Sequence, residues 1–350
     1  WQQSQPVSGV SYTVQAGKNS MWCIRNKKTL LIIGLGMILA SAAIIVRFGI
    51  PFGIDFTGGA LTEVVYEVAP TQAQVEVALN PLGFGAYSLR ETTTDEGGTG
   101  FIVRTRDLSE AERVAISSTL TGLGEGGAVA RFTSVGPVIG QELASKAVWA
   151  IAGVSLVIIL YVAFAFAGVS YPVGSWVYGG ITIFALLHDV IIPAAVMTLL
   201  GVFVGVEADV LFVMALLAVL GYSVNDTIVV FDRVRENLKA NREEKRTTVI
   251  ETGGMEREEI TYTLTKPFGA IVGMSVEQTI TRSINTSVTT ILALSALYFF
   301  GGEVTQTFTL ILIAGVIAGT YSSICLANPL LVWYAERQAA KESVRHNQTV

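Results

Sequence analysis

Six stretches of the chain are almost free of charge, and each approaches or reaches the roughly 20 apolar residues that cross a bilayer as a helix. They lie near Thr29–Arg47, Ala147–Phe166, Trp176–Leu200, Asp209–Phe231, Ser283–Phe300 and Phe308–Trp333. Leu211–Leu220 and Ile311–Ile317 carry no charge on any face, which argues for lipid rather than a soluble core. The pattern changes between the first and second stretches. Ala60–Val68 alternates as a strand. Thr71–Leu82 reads as a helix with Thr71 at its start. Gly85–Arg90 and Phe101–Arg106 are strands around a turn at Asp95–Gly100. Ser109–Leu123 is a second helix, capped by Ser109, and Val129–Val135 is a last strand. The order β-α-β-β-α-β predicts a ferredoxin-like domain with two helices on one sheet face. The other face is expected to stay open for a partner domain or a polypeptide. The fold class is thus an α-helical polytopic membrane protein with an inserted α+β domain.

Lys and Arg orient the chain. They cluster in the tail 1–28, in the segment 232–281 and in the tail 335–350, and are missing from Gly201–Ala208 and Gly301–Thr305. Six crossings put the three basic segments on one face, which the positive-inside rule makes the cytoplasm. Both termini are then cytoplasmic and residues 48–146 lie outside. Within 232–281, Glu236–Arg246 reads as helical, and Thr248–Thr265 as a small hairpin or a flexible loop around Gly253-Gly254.

Composition narrows the classes. Of 350 residues 51% are hydrophobic and only 15% charged, against about 25% charged in soluble domains. A net charge of −5 offers nothing to nucleic acid. Two cysteines and two histidines, far apart, exclude a metal cluster and a disulfide framework. No cofactor is expected. The first twenty residues hold no apolar stretch and are not a signal peptide.

Ionisable groups inside the membrane are the informative chemistry, because each is costly without a partner. Asp189 follows His188 and precedes Pro193 by four residues. Asp226 lies three residues after Ser223 and next to Asn225. Arg282 opens the fifth stretch, where Arg282, Asn285, Thr286, Thr289 and Thr290 recur every three or four residues as a polar stripe. A stripe facing the acidic residues would line a hydrated path, although Ser, Thr and Asn also cement membrane helices. Gly53, Asp55, Gly58 and Gly59 belong to a Gly-rich run that lacks the Gly-Lys-Ser/Thr of a phosphate loop, and are expected to form a structural turn. There is no nucleophile elbow, and the Gly-x-Gly-Asp of intramembrane aspartyl proteases is absent, so no enzyme is expected.

Four motifs run in order along the chain: GIDFTGG at Gly53–Gly59, VLGYSVNDTIVVFDRVREN at Val219–Asn237, QTITRSINTSVTT at Gln278–Thr290 and GTYSSICLANPLL at Gly319–Leu331, with ALLHDV at Ala185–Val190. Their combination resembles the SecF subunits of the bacterial protein-export machinery. The resemblance implies a bacterial inner-membrane protein beside the SecYEG translocon, paired with SecD in a twelve-helix unit of the resistance-nodulation-division superfamily. It also implies proton-driven help to preproteins, with the family's membrane Asp and Arg falling on Asp226 and Arg282 and Asp189 as a second stop. The segment Arg242–Val272 is longer than the family's usual connection. No SecD half is present, so SecD is separate, or this chain is the second half of a fusion, which suits its start at Trp1. The competing readings are a small-molecule efflux transporter of the same superfamily and a structural scaffold.

Overall fold

The computed structural model describes residues 22–93, 98–166, 172–250 and 256–349. Most of the tail 1–28, part of the expected turn at Asp95–Gly100, and Gly253-Gly254 lie outside the described residues. A short helix α1 (Trp22–Arg25) precedes the first crossing, α2 (Lys27–Phe48). One helical turn, α3 (Ile54–Thr57), leads into a domain built from β1 (Gly59–Tyr66), α4 (Gln72–Leu79), β2 (Ser88–Thr93), β3 (Thr99–Thr105), α5 (Glu110–Thr121) and β4 (Ala128–Val135). Then come α6 (Pro137–Ala165), α7 (Ser175–Phe203) and α8 (Val210–Ala240), the hairpin β5 (Arg242–Ile250) and β6 (Glu256–Leu264), and α9 (Phe268–Phe300). The last crossing is one continuous run: α10 (Glu303–Tyr321), a π-helical turn Ser322–Ala327, and α11 (Asn328–Thr349). Among the described residues six helices are long and apolar enough to span a membrane.

The inserted domain has the strand order β2-β3-β1-β4, every neighbour antiparallel, as the ferredoxin-like pattern requires. Both of its helices start with a capping box, Thr71 with Gln74 and Ser109 with Glu112. Each box satisfies two amides that the first turn leaves free. Val64, Tyr66, Phe101 and Val103 of the sheet pack on Val75, Leu79, Ile116 and Leu120 of the helices. The opposite sheet face, expected to stay open, borders a cavity rather than a packed layer. Across that cavity, of about 460 Å³, it turns toward the ends of α8 and α10. Arg104 of β3 bonds Glu207 at 2.8 Å, and Arg90 of β2 donates to the Val204 carbonyl at 3.3 Å.

Several helices outrun their apolar stretch. α6 begins at Pro137 rather than near Ala147, because proline suits the first helical position after Gly136. α9 begins at Phe268 rather than Ser283. Its first turns are apolar, with Phe268, Ile271, Val272 and Val276 buried, and the polar run 277–282 lies inside the helix. α8 continues to Ala240 on buried Val234 and Leu238. The helix expected over Glu236–Arg246 therefore stops at Ala240, and residues from Arg242 form a strand. That strand pairs in register from Arg242↔Leu264 to Ile250↔Glu256, its end rich in β-formers Thr247, Thr248, Val249 and Ile250.

The bundle's layers differ. α6 exposes Val148, Trp149, Val157, Leu160 and Phe164, a surface suited to acyl chains. α7, α8 and the last crossing carry the buried positions. Near the hairpin end, Phe166 stacks on Tyr178, and Phe231 meets both edge-on.

Candidate functional site

Asp189, on α7, is a carboxyl with no exposed surface. Pro193 lies inside the same helix and offers no N–H to the Asp189 carbonyl four residues back. Three neighbours serve the carboxyl. Ser223 of α8 donates to Oδ2, Ser322 of the last crossing donates to the same oxygen at 2.8 Å, and His188 Nδ1 lies 2.9 Å from Oδ1. The His188 ring stacks on Tyr321 at 5.6 Å, and the Tyr321 hydroxyl donates to the Leu30 carbonyl of α2 at 2.8 Å. Four crossings meet at this node.

Local sequence explains how they come so close. A Cβ on Gly319 would lie 2.9 Å from Ser223 Cβ, and one on Gly315 would lie 2.1 Å from Val219 Cγ2. Gly315 and Gly319 thus form a small-residue seam that draws α10 against α8. Immediately after it, Pro329 removes an amide from the ladder, and the chain answers with the wide turn Ser322–Ala327. The Asn328 side chain fills in by donating to the Ser323 carbonyl at 2.6 Å. The turn buries Ser322 and Ser323, and Ser322 meets Asp189.

Asp226 is held differently. It is 5% exposed on α8, with Arg282 and Ser283 of α9 as the groups that act on its carboxyl. Among the described residues Asp226 Oδ2 and Ser283 Oγ approach each other without closing a hydrogen bond, and Arg282 acts on the carboxyl through its charge. A cavity of about 170 Å³ opens one turn away toward the hairpin end, between Val229, Arg233, Gln278 and Arg282.

Beyond Arg282, whose charge reaches Asp226, the stripe on α9 points elsewhere than the acidic residues. Arg282, Asn285 and Thr289 are exposed, Thr286 and Thr290 half-buried, and Asn225 of α8 is exposed as well. The threonines bond back along their own helix: Thr286 to the Arg282 carbonyl at 2.9 Å, Thr289 to that of Asn285 at 3.0 Å, and Thr290 to that of Thr286 at 2.9 Å. The inward polar face of α9 is Ser275, Thr279, Ser283 and Ser287, about 100° further round the helix. Ser287 accepts from Thr320 at 2.6 Å and from Tyr222 at 3.5 Å, linking α8, α9 and α10. Sequence reasoning missed this face and Tyr321 and Ser322. The four-residue spacing from Ser275 to Ser287 was the available signal.

The Gly-rich turn joins the domain to the bundle. Asp55 Oδ2 accepts the Val210 amide at 3.0 Å, while Asp209 accepts that of Phe212 at 3.0 Å, so two carboxylates cap α8. Burial, with the Asp55 charge beside it, pushes the Asp209 carboxyl above its ordinary value. Gly53 donates to the Ala208 carbonyl at 2.8 Å. Gly58 (φ 73°) and Gly59 (φ 126°) adopt backbone that suits glycine, and Cβ atoms there would meet Pro137 Cα at 2.7 Å and the Thr105 carbonyl at 2.6 Å. Metal-binding groups of three or more His, Cys, Asp or Glu do not occur among the described residues.

Known proteins match this arrangement. The family described as protein export membrane protein SecD/SecF, C-terminal, matches residues 115–257 and 255–337, and the SecD/SecF GG motif matches 43–69. A protein translocase subunit SecF of Thermobaculum terrenum is 37% identical over 317 residues, covering 88% of this chain and 92% of that one. The SecF of Pseudomonas aeruginosa is 35% identical, covering 81% and 82%. The SecDF of Thermus thermophilus is 33% identical over 87% of this chain, which spans 37% of that longer protein. A crystal structure of SecDF, a translocon-associated membrane protein from that organism, superposes with TM-score 0.72 at 30% identity, covering 91% of this chain and 39% of that chain. The chain belongs to the SecD/SecF family of protein export membrane proteins.

Proposed function

We propose that the chain is a membrane subunit of the Sec export machinery of the bacterial inner membrane. It couples the proton-motive force to preprotein translocation beside SecYEG and works with a SecD partner, fused or separate. The observation that carries this reading is the state of Asp226, a carboxyl buried in the bundle whose Oδ2 lacks a hydrogen bond, with a guanidinium nearby on the next helix. A buried acid so loosely held is suited to exchanging its proton. Arg282 stays charged at any working pH and responds to the charge of Asp226. Proton uptake at Asp226 weakens the pull on Arg282 and lets α8 and α9 shift. One charge crossing 100 mV supplies about 2.3 kcal/mol, enough to bias two packings.

The way out of the membrane runs through the start of α8. Asp55, Asp209 and the Arg104–Glu207 pair tie that helix end to the inserted domain, so movement of α8 is felt there. Exposed Arg282, Asn285, Thr289 and Asn225 would be costly against acyl chains, which supports a SecD bundle covering this side. The basic segments put the hairpin end in the cytoplasm and the domain outside.

The test uses Asp226→Asn and Arg282→Ala in the full chain with SecD. Both variants should co-purify with SecD at wild-type levels and lose proton-driven export and ion conduction. Full proton-driven export by both would overturn the reading.

A further inference from the structure

We propose that His188 is the proton-binding member of a second ionisable site in the bundle, with Asp189 as its fixed counter-charge. This rests on the proton-coupled reading above and adds a residue to it. The His188 ring has no exposed surface. Its Nδ1 lies 2.9 Å from Asp189 Oδ1 and donates to it when the carboxyl is ionised, while both serines donate to Oδ2. Each carboxylate oxygen therefore has a donor. His188 Nε2 is the one atom of the ring–carboxylate pair with no hydrogen-bond partner among the described residues.

With Nδ1 carrying the hydrogen, Nε2 presents a lone pair. A proton taken there leaves the Nδ1–H on Asp189 and changes the formal charge of the pair from −1 to 0. The groups around it are few. α7 supplies Asp189, and α8 supplies Ser223 with Asp226 one turn further. The last crossing supplies Tyr321, Ser322 and Cys325, α2 only the Leu30 carbonyl beneath Tyr321, and Arg282 of α9 points outward. A protonated Nε2–H needs an acceptor that this packing lacks. Uptake thus strains the stack of His188 on Tyr321, and through Tyr321 the contact of the last crossing with α2. The site acts where the π-helical turn already departs from the regular ladder.

The chain has two histidines, so His346→Gln leaves a single ring to observe. The full chain carrying that change and ¹⁵N-histidine is placed in lipid bilayers and followed by solid-state NMR as pH falls from about 8 to about 5. Nε2 should pass from bare to protonated while Nδ1 keeps its proton. An Nε2 that stays bare throughout overturns the proposal, and so does loss of the Nδ1 proton. In the second arm, His188→Asn keeps a donor for Asp189 but cannot titrate. With SecD in liposomes it should assemble normally, conduct protons about tenfold more slowly and lose one step of the pH profile. A wild-type rate and profile overturns the proposal. Should His188→Asn fail to assemble, the NMR arm decides. If Asp226→Asn conducts like wild type while His188 titrates, the coupling reading fails and the His188 site stands.

Discussion

Two carboxylates lie inside the same bundle and are held in opposite ways. Asp189 has a donor on each oxygen from three elements, and glycines and a π-helical turn bring those donors to it. Asp226, one turn from Ser223, has an oxygen with no closed hydrogen bond and a guanidinium that acts on it through its charge. A saturated buried acid specifies how helices pack, since any other packing strands its donors. An unsaturated one leaves a choice of partners open, which is what a coupling group requires. The contrast separates two roles that composition cannot, because both residues are simply aspartates in apolar helices.

The comparison breaks or sharpens under substitution. Asp189→Leu strands His188 Nδ1 and two serine hydroxyls, and should cost about 3–5 kcal/mol in denaturant titrations of the purified protein. Asp226→Leu removes a carboxyl with little to lose and should cost under about 1 kcal/mol. Equal costs would erase the distinction. Gly319→Val forces Ser223 off Asp189, with an expected loss of about 1–3 kcal/mol. Gly221→Ala on the same α8 meets nothing within 4 Å and should be neutral or slightly stabilising in the same assay. Ser322→Ala deletes one donor of the node and should cost about 0.6 kcal/mol, the usual scale for membrane hydrogen bonds.

Smaller effects are expected where the domain meets the bundle. The Arg104–Glu207 pair is partly solvated, so a double-mutant cycle with Arg104→Gln and Glu207→Gln should return about 0.5–1 kcal/mol. The smallest is an acid effect on α5. Bonding to Arg106, and then to Ser109, lowers the Glu112 carboxyl to about 2. An unfolded glutamate sits near about 4.3. Because the folded value is the lower, the contribution is fully present above about 4.3 and is lost as pH falls toward 2. Amide exchange in the first turn of α5 should quicken over that interval in the wild type, and less in Arg106→Gln.

The six crossings, the inserted domain and its strand order were legible in the linear sequence. Burial in lipid or in a sheet is a property of runs and alternations, and Thr71 and Ser109 announce their helices through local capping. Asp189, Asp226 and Arg282 stand out in the linear sequence as candidates, since a charge in an apolar run is conspicuous by its cost. What meets what was decided only in three dimensions. Ser322 lies 133 residues from Asp189 and reaches it through Gly319 and a wide turn before Pro329. The α9 stripe shows how a spacing of three or four defines a face but not its direction. Arg282, Asn285 and Thr289 face out, while Ser283 and Ser287, one residue after Arg282 and Thr286, face in. A helix's rotation about its axis is set by the shapes of its neighbours, and those shapes exist only once the bundle is packed.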